Sequence, residues 1–141
     1  MDKPLPYVTA ALLCEKLIQE KNDVVTLVRV VDRLQYRIEV GPNMPKDLKP
    51  LVNIEGFVSL KSGPVTGDHI IKIFVEKPSG ERKEVFVQPV KFLGGDHGQN
   101  IILNIGLGIE VDGLYWFDVV FDEDLVTRMP LMVTAMPPQE S

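Results

Sequence analysis

Apolar and polar side chains alternate along most of this chain in short runs, separated by turn residues at intervals of about eight to twelve residues. The C-terminal hairpin shows the pattern most clearly. In Leu114–Phe121, Tyr115, Phe117, Val119 and Phe121 share one face, and Trp116, Asp118 and Val120 share the other. The next strand sets Leu125, Thr127, Met129, Leu131 and Val133 against Val126, Arg128, Pro130 and Met132. The first set of each strand is expected in the core, with Asp118 and Arg128 directed to solvent or a partner. Pro130 has no N–H to give to a ladder, which predicts an edge or a bulge at that position.

The same reading predicts further strands at Val24–Val31, Leu34–Val40, Ile54–Leu60, Ile70–Glu76, Glu84–Val90 and Ile101–Glu110. Turns or loops are expected at Lys21-Asn22-Asp23, Gly41–Leu51, Ser62–Asp68, Pro78-Ser79-Gly80, Leu93–Gln99, Asp112-Gly113 and Asp122-Glu123-Asp124. Gly106 and Gly108 inside a strand predict a bulge or a close backbone approach. Residues 10–21 are ambiguous, because Leu13, Leu17 and Ile18 also sit at helical spacing.

Composition favours strands throughout. Three alanines stand against nineteen valines and ten isoleucines, and eleven prolines leave only Tyr7–Gly41 and Val90–Met129 long enough for a sizeable helix. An all-α protein is excluded. A length of 141 residues predicts one domain over 1–141, with frayed ends at 1–6 and 137–141. Fifteen basic against twenty acidic residues give a net charge of −5, which disfavours binding to a nucleic-acid backbone. No run has the apolar length of a membrane span or a secretory leader, so a cytoplasmic protein is expected. One cysteine, Cys14, excludes an intramolecular disulfide and reads as a small buried hydrophobe.

Asp112-Gly113-Leu114-Tyr115-Trp116-Phe117 resembles the start of the penultimate strand of immunoglobulin-like sandwiches, where a Gly-x-Tyr places a tyrosine corner. Ala11-Leu12-Leu13-Cys14-Glu15-Lys16, the Lys21-Asn22-Asp23 turn, Thr26–Asp32 and Gly113-Leu114-Tyr115 with Pro130-Leu131 together resemble a family of small bacterial proteins of unknown function. The resemblance implies an all-β, immunoglobulin-like antiparallel β-sandwich of about seven to nine strands, with a hairpin in the first thirty residues. It therefore assigns residues 10–21 to a strand. It brings no catalytic motif with it.

Candidate chemistry is sparse. No serine lies in a Gly-x-Ser-x-Gly turn, and neither Gly94-Gly95 nor Gly106-x-Gly108 has the context of a phosphate-binding loop. Gly-Asp-His occurs twice, at 67–69 and 95–97. If successive antiparallel strands place alternate turns at one end, Asp68, His69, Asp96, His97, Asp122, Glu123 and Asp124 share a rim that could hold zinc or calcium. Trp116 shares a face with Asp118, which makes it and Arg128 the candidate anchors of a partner surface. The sequence thus favours a non-enzymatic binding or assembly module with a protein partner or a homo-oligomer. A metal-dependent module using the rim, and an enzyme with a dispersed site pairing His69 with His97, are the alternatives.

Overall fold

A computed structural model describes residues 3–36 and 50–135. The chain is all-β, with seven strands among the described residues: β1 (Tyr7–Gln19), β2 (Val25–Val30), β3 (Arg33–Tyr36), β4 (Leu51–Glu76), β5 (Arg82–Gly108), β6 (Gly113–Phe121) and β7 (Asp124–Ala135). The expected loop at Gly41–Leu51 and the later part of the Leu34–Val40 strand lie mostly outside the described residues, as does the 137–141 tail.

β4 and β5 form one long hairpin turned at Lys77–Glu81, and this corrects two of the expected loops. Neither Ser62–Asp68 nor Leu93–Gln99 is a loop. Each lies inside a strand, and they pair with one another: Gly63 opposes Gly95 and Thr66 opposes Leu93, with register shifts on either side of Gly63. Gly63, Gly67, Gly94 and Gly95 all take positive φ here. Glycine adopts that conformation without steric cost, so the hairpin can kink without ending.

The kink divides the hydrogen-bonded ladder. Its first half runs β2, β1, the start of β4 and the end of β5, and its second half runs the start of β5, the end of β4, β6, β7 and β3. β3 joins β7 in parallel, and the other pairings are antiparallel. Both halves contribute to one core: Leu13, Ile54, Val58 and Leu60 from the first, and Ile71, Ile73, Phe117 and Leu131 from the second. The sheet therefore curls around its own apolar face.

The alternation read in β6 is present, with Tyr115, Phe117, Val119 and Phe121 all buried. Opposite Val119/Val120 the register skips Val126, and this changes the phase of β7. Val120 is also buried, Leu125 is exposed, and Val126 packs on the core in its place. A bulge inserts one residue, and one residue moves every following side chain to the other face. Gly106 and Gly108 oppose Asn53 and Leu51 in unbroken register, so no bulge lies there.

Around Asp112 the strand ends are tied together. Tyr115 Oη donates to the Val111 carbonyl at 2.7 Å, Tyr36 Oη donates to Asp112 Oδ1 at 2.6 Å, and Ala135 N donates to Asp112 Oδ2 at 3.0 Å. The bond to Asp112 pushes the Tyr36 hydroxyl up to about 12, and the two donors lower the Asp112 carboxyl.

Residues 10–19 are strand, and β1 turns into β2 through a single 3₁₀ turn at Lys21–Asp23, with Asn22 at φ 68°. β1 pairs with β4 only as far as Cys14, whereas its pairing with β2 runs from Cys14 to Gln19. Beyond Cys14 the two strands thus form a ribbon of their own. Glu55 accepts from Leu17 N at its root, and a cleft of about 270 Å³ lined by Gln19, Val25, Gln99 and Asn100 separates its end from β5.

Candidate functional site

The second half of the sheet carries a continuous cluster on its solvent side. Register sets Trp116 opposite Glu76 and Pro130, and Asp118 opposite Phe74 and Arg128. Cross-strand neighbours on one face touch. Arg128 Nε donates to Asp118 Oδ1 at 2.7 Å, and its Nη2 donates to Glu76 Oε2 at 2.7 Å. Its guanidinium carbon lies 4.4 Å from the centre of the Trp116 ring. Arg82 approaches Asp118 Oδ2 at 3.4 Å while stacking over Phe74 at 4.2 Å.

Trp116 and Arg128 thus lie together on the face expected of them. Asp118, in contrast, does not reach solvent. It is 4% exposed, beneath two arginines. The carboxylate fixes Arg128 and Arg128 fixes the half-buried indole, so hydrogen bonds and stacking order this aromatic surface. Beyond Pro130 the face meets a cleft of about 360 Å³, lined also by Leu12, Leu13, Val30, Val31 and Met129. β3 pairs with β7 only from Met132 onward, so Pro130 stands where the ladder is open, as its missing donor requires.

The acidic rim assembles only in part. Asp122 leaves β6 beside β4, where Ile70 N donates to its Oδ1 at 3.0 Å and His69 Nδ1 donates to its Oδ2 at 2.8 Å. His69 Nε2 lies 2.8 Å from the Thr66 carbonyl, and the ring packs on Phe92 and Phe121. Both nitrogens face acceptors, an arrangement that favours the doubly protonated ring, which has no lone pair for a metal. Its pKa is raised, first by the bond to Asp122, with burial opposing. The Asp122 carboxyl is lowered: burial works against the charge, but the bonds from His69 and Ile70 N outweigh it.

Asp68 faces Lys91 across the ladder. Asp96 and His97 lie on the far side of the kink, between Gly95 opposite Gly63 and Gly98 opposite Lys61. Glu123 and Asp124 complete the β6–β7 turn and take no part in the His69 pair. Among the described residues no three His, Cys, Asp or Glu side chains come together as a metal site. The expectation of one shared rim assumed that both Gly-Asp-His tripeptides sit in loops at one end, and the kinked hairpin removes that assumption. Cys14 is fully buried, and that burial, followed by the charge of Glu55, raises its thiol pKa. It has the character of a core residue.

The sequence pattern places Trp116 and Arg128 on one face but does not bring Glu76 and Arg82 beside them. Their positions in the cluster depend on pairings with β4 and β5 that local pattern does not encode.

No family model matches this sequence, and no curated protein matches it. Among solved structures, the chain is similar to a β-glucosidase from Listeria innocua, with a TM-score of 0.50 and 9% identity over 96% of this chain. The glucose complex of that enzyme gives 0.48 and 10%, covering 94% of this chain. β-Glucosidase 3B from Thermotoga neapolitana in complex with α-D-glucose gives 0.43 and 11%, covering 92%. The chain spans only 17% of the Listeria chains and 16% of the Thermotoga chain. At these identities the likeness concerns backbone architecture alone. Among the described residues no helix is long and apolar enough to cross a membrane.

Proposed function

We propose that this chain is a non-enzymatic β-sandwich module that works by binding protein, with the Trp116–Arg128 face as its contact surface. The observation that carries the reading is the ordering of that face. A tryptophan lies under a guanidinium that is itself held by Asp118 and Glu76. Tryptophan and arginine are the residues that most often anchor protein interfaces, and an anchor fixed in advance loses little entropy on docking. The cleft beyond Pro130 extends the apolar part of this surface. We read the curled sheet as immunoglobulin-like, a reading supported by the Tyr115 hydroxyl bonded four residues upstream, as in a tyrosine corner.

The test compares the wild-type chain with Trp116→Glu in cross-linking and native mass spectrometry of complexes formed in extract from its own source. Loss of a wild-type complex in Trp116→Glu, with circular dichroism unchanged, is the expected result. A complex that survives in Trp116→Glu assigns binding to another surface.

A further inference from the structure

Among the described residues no strand pairs with the outer side of β2, and its backbone groups on that side have no strand partner among them. Sheet edges invite pairing with other chains, and proteins usually blunt them with charge or proline. The first half of β5, the edge of the other half-sheet, is blunted in this way by Arg82, Lys83, Glu84, Pro89 and Lys91. β2 is Val-Thr-Leu-Val-Arg-Val, with no proline and a single charge. Val28 and Val30 are 37% and 56% exposed, and Ile18 on the neighbouring strand is 41% exposed.

Charge indicates what fits this edge. Residues 15–30 carry Lys16, Lys21 and Arg29 against Glu15, Glu20 and Asp23, a net of zero. The whole chain carries −5, so all of the excess negative charge lies elsewhere. Two copies of an acidic protein repel over most of their surface, but at this ribbon they meet without net repulsion. An antiparallel edge is also self-complementary about a two-fold axis.

We infer that β2 is a homodimerisation edge, at which two copies pair antiparallel about a two-fold axis near Leu27 and continue the half-sheet across the interface. Leu17 and Leu27, which oppose one another within the ribbon, would then form one row with their copies. This rests on the proposed binding role but places self-association on a surface other than Trp116. The added area is one six-residue strand, so the dimer is at the weak end for protein interfaces.

Sedimentation velocity of the full chain between about 1 and 200 µM tests the inference, because a weak interface fills over that range. Hydrogen exchange is measured at both ends of the series. The expected result is a monomer–dimer equilibrium with amide protection in Val25–Val30 that rises with concentration. A Val28→Lys/Val30→Lys variant should weaken association at least about tenfold, since paired edge lysines oppose strand addition. Trp116→Glu should leave the dimer intact. A monomer at every concentration, or a dimer without new protection in Val25–Val30, overturns the inference. A dimer lost in Trp116→Glu but kept in the lysine variant moves self-association to the tryptophan face, which refutes the edge and retains the binding role. The exchange measurement uses wild-type protein, so the test stands even if the lysine variant fails to fold.

Discussion

Removing Arg128 should cost much more stability than removing the charge of its partner Asp118. Asp118 is 4% exposed and accepts from Arg128 at 2.7 Å, and its other cation, Arg82, is at 3.4 Å. In Arg128→Met the carboxylate stays buried with only the longer contact. Stripping one partner from a fully buried ion pair costs about 3–5 kcal/mol, because the remaining charge is uncompensated. Arg82 is retained here and the Arg128 side chain is 35% exposed, so the lower part of that range, about 2–3 kcal/mol, is expected. Loss of the guanidinium over Trp116 adds about 0.5–1 kcal/mol. In Asp118→Asn the groups left without their charge partner are two arginines that water can reach, so the cost is about 1 kcal/mol.

Urea unfolding read by tryptophan fluorescence measures both costs, because Trp116 is the only tryptophan and lies directly under the guanidinium. With a slope of about 2 kcal/mol per molar urea, Arg128→Met should lower the midpoint by about 1–2 M. The double variant should cost less than the sum of the two, by a coupling of about 1–2 kcal/mol. Added salt should reduce these differences only in part, because Asp118 is buried while Arg128 is partly exposed. If Arg128→Met unfolds within about 0.5 kcal/mol of wild type, the scale of an ordinary surface substitution, or if Asp118→Asn is the costlier change, the pair does not organise this face.

The His69–Asp122 pair should leave a mark on the pH dependence of stability. The His69 pKa is raised above 6.5, so its contribution is complete below that pH and is lost as pH rises through the folded value. The Asp122 pKa is depressed below 3.8, so its contribution is present above that pH and is lost as pH falls through the folded value. Thermal melts from pH 4 to 9 should show wild type losing stability on the alkaline side of 6.5 relative to His69→Gln, and parallel curves would refute the imidazolium assignment. Tyr115→Phe removes the bond to the Val111 carbonyl and should cost about 1 kcal/mol, or roughly 3 °C in Tm, by calorimetry. Because of the bulge in β7, Leu125→Asp should be tolerated within about 0.5 kcal/mol while Val126→Asp costs more than about 2 kcal/mol by urea unfolding. Equal costs would place the change of phase elsewhere. Gly63→Ala forces a side chain into φ +55° and toward the Tyr7 ring, and should lower stability by about 1–2 kcal/mol in the same assay.

The core face of β6 and much of β7 could be read from the sequence because period two is a local property, so Tyr115, Phe117, Met129 and Leu131 needed no partner to be assigned. The β1–β2 hairpin was legible only through the family resemblance, because local pattern left residues 10–21 open between helix and strand. The kink in β4 and β5 was not. Gly63, Pro64, Gly67 and Asp68 have the composition of a turn, because a kinked strand and a turn draw on the same backbone freedom. What separates the two is whether a partner strand follows the chain through the bend, and that partner, Leu93–Gly98, is about thirty residues away. The candidate site inherited the same error. His69 and Asp122 were expected together as residents of two loops at one end of the fold. They meet because β6 pairs with the later half of β4, so that Phe121 opposes Ile71 and Asp122 is carried to His69. The kink that joins these two also leaves Asp96 and His97 on its far side. The sequence therefore held the pair, and tertiary pairing decided that it is a partly exposed His–Asp contact beside the kink.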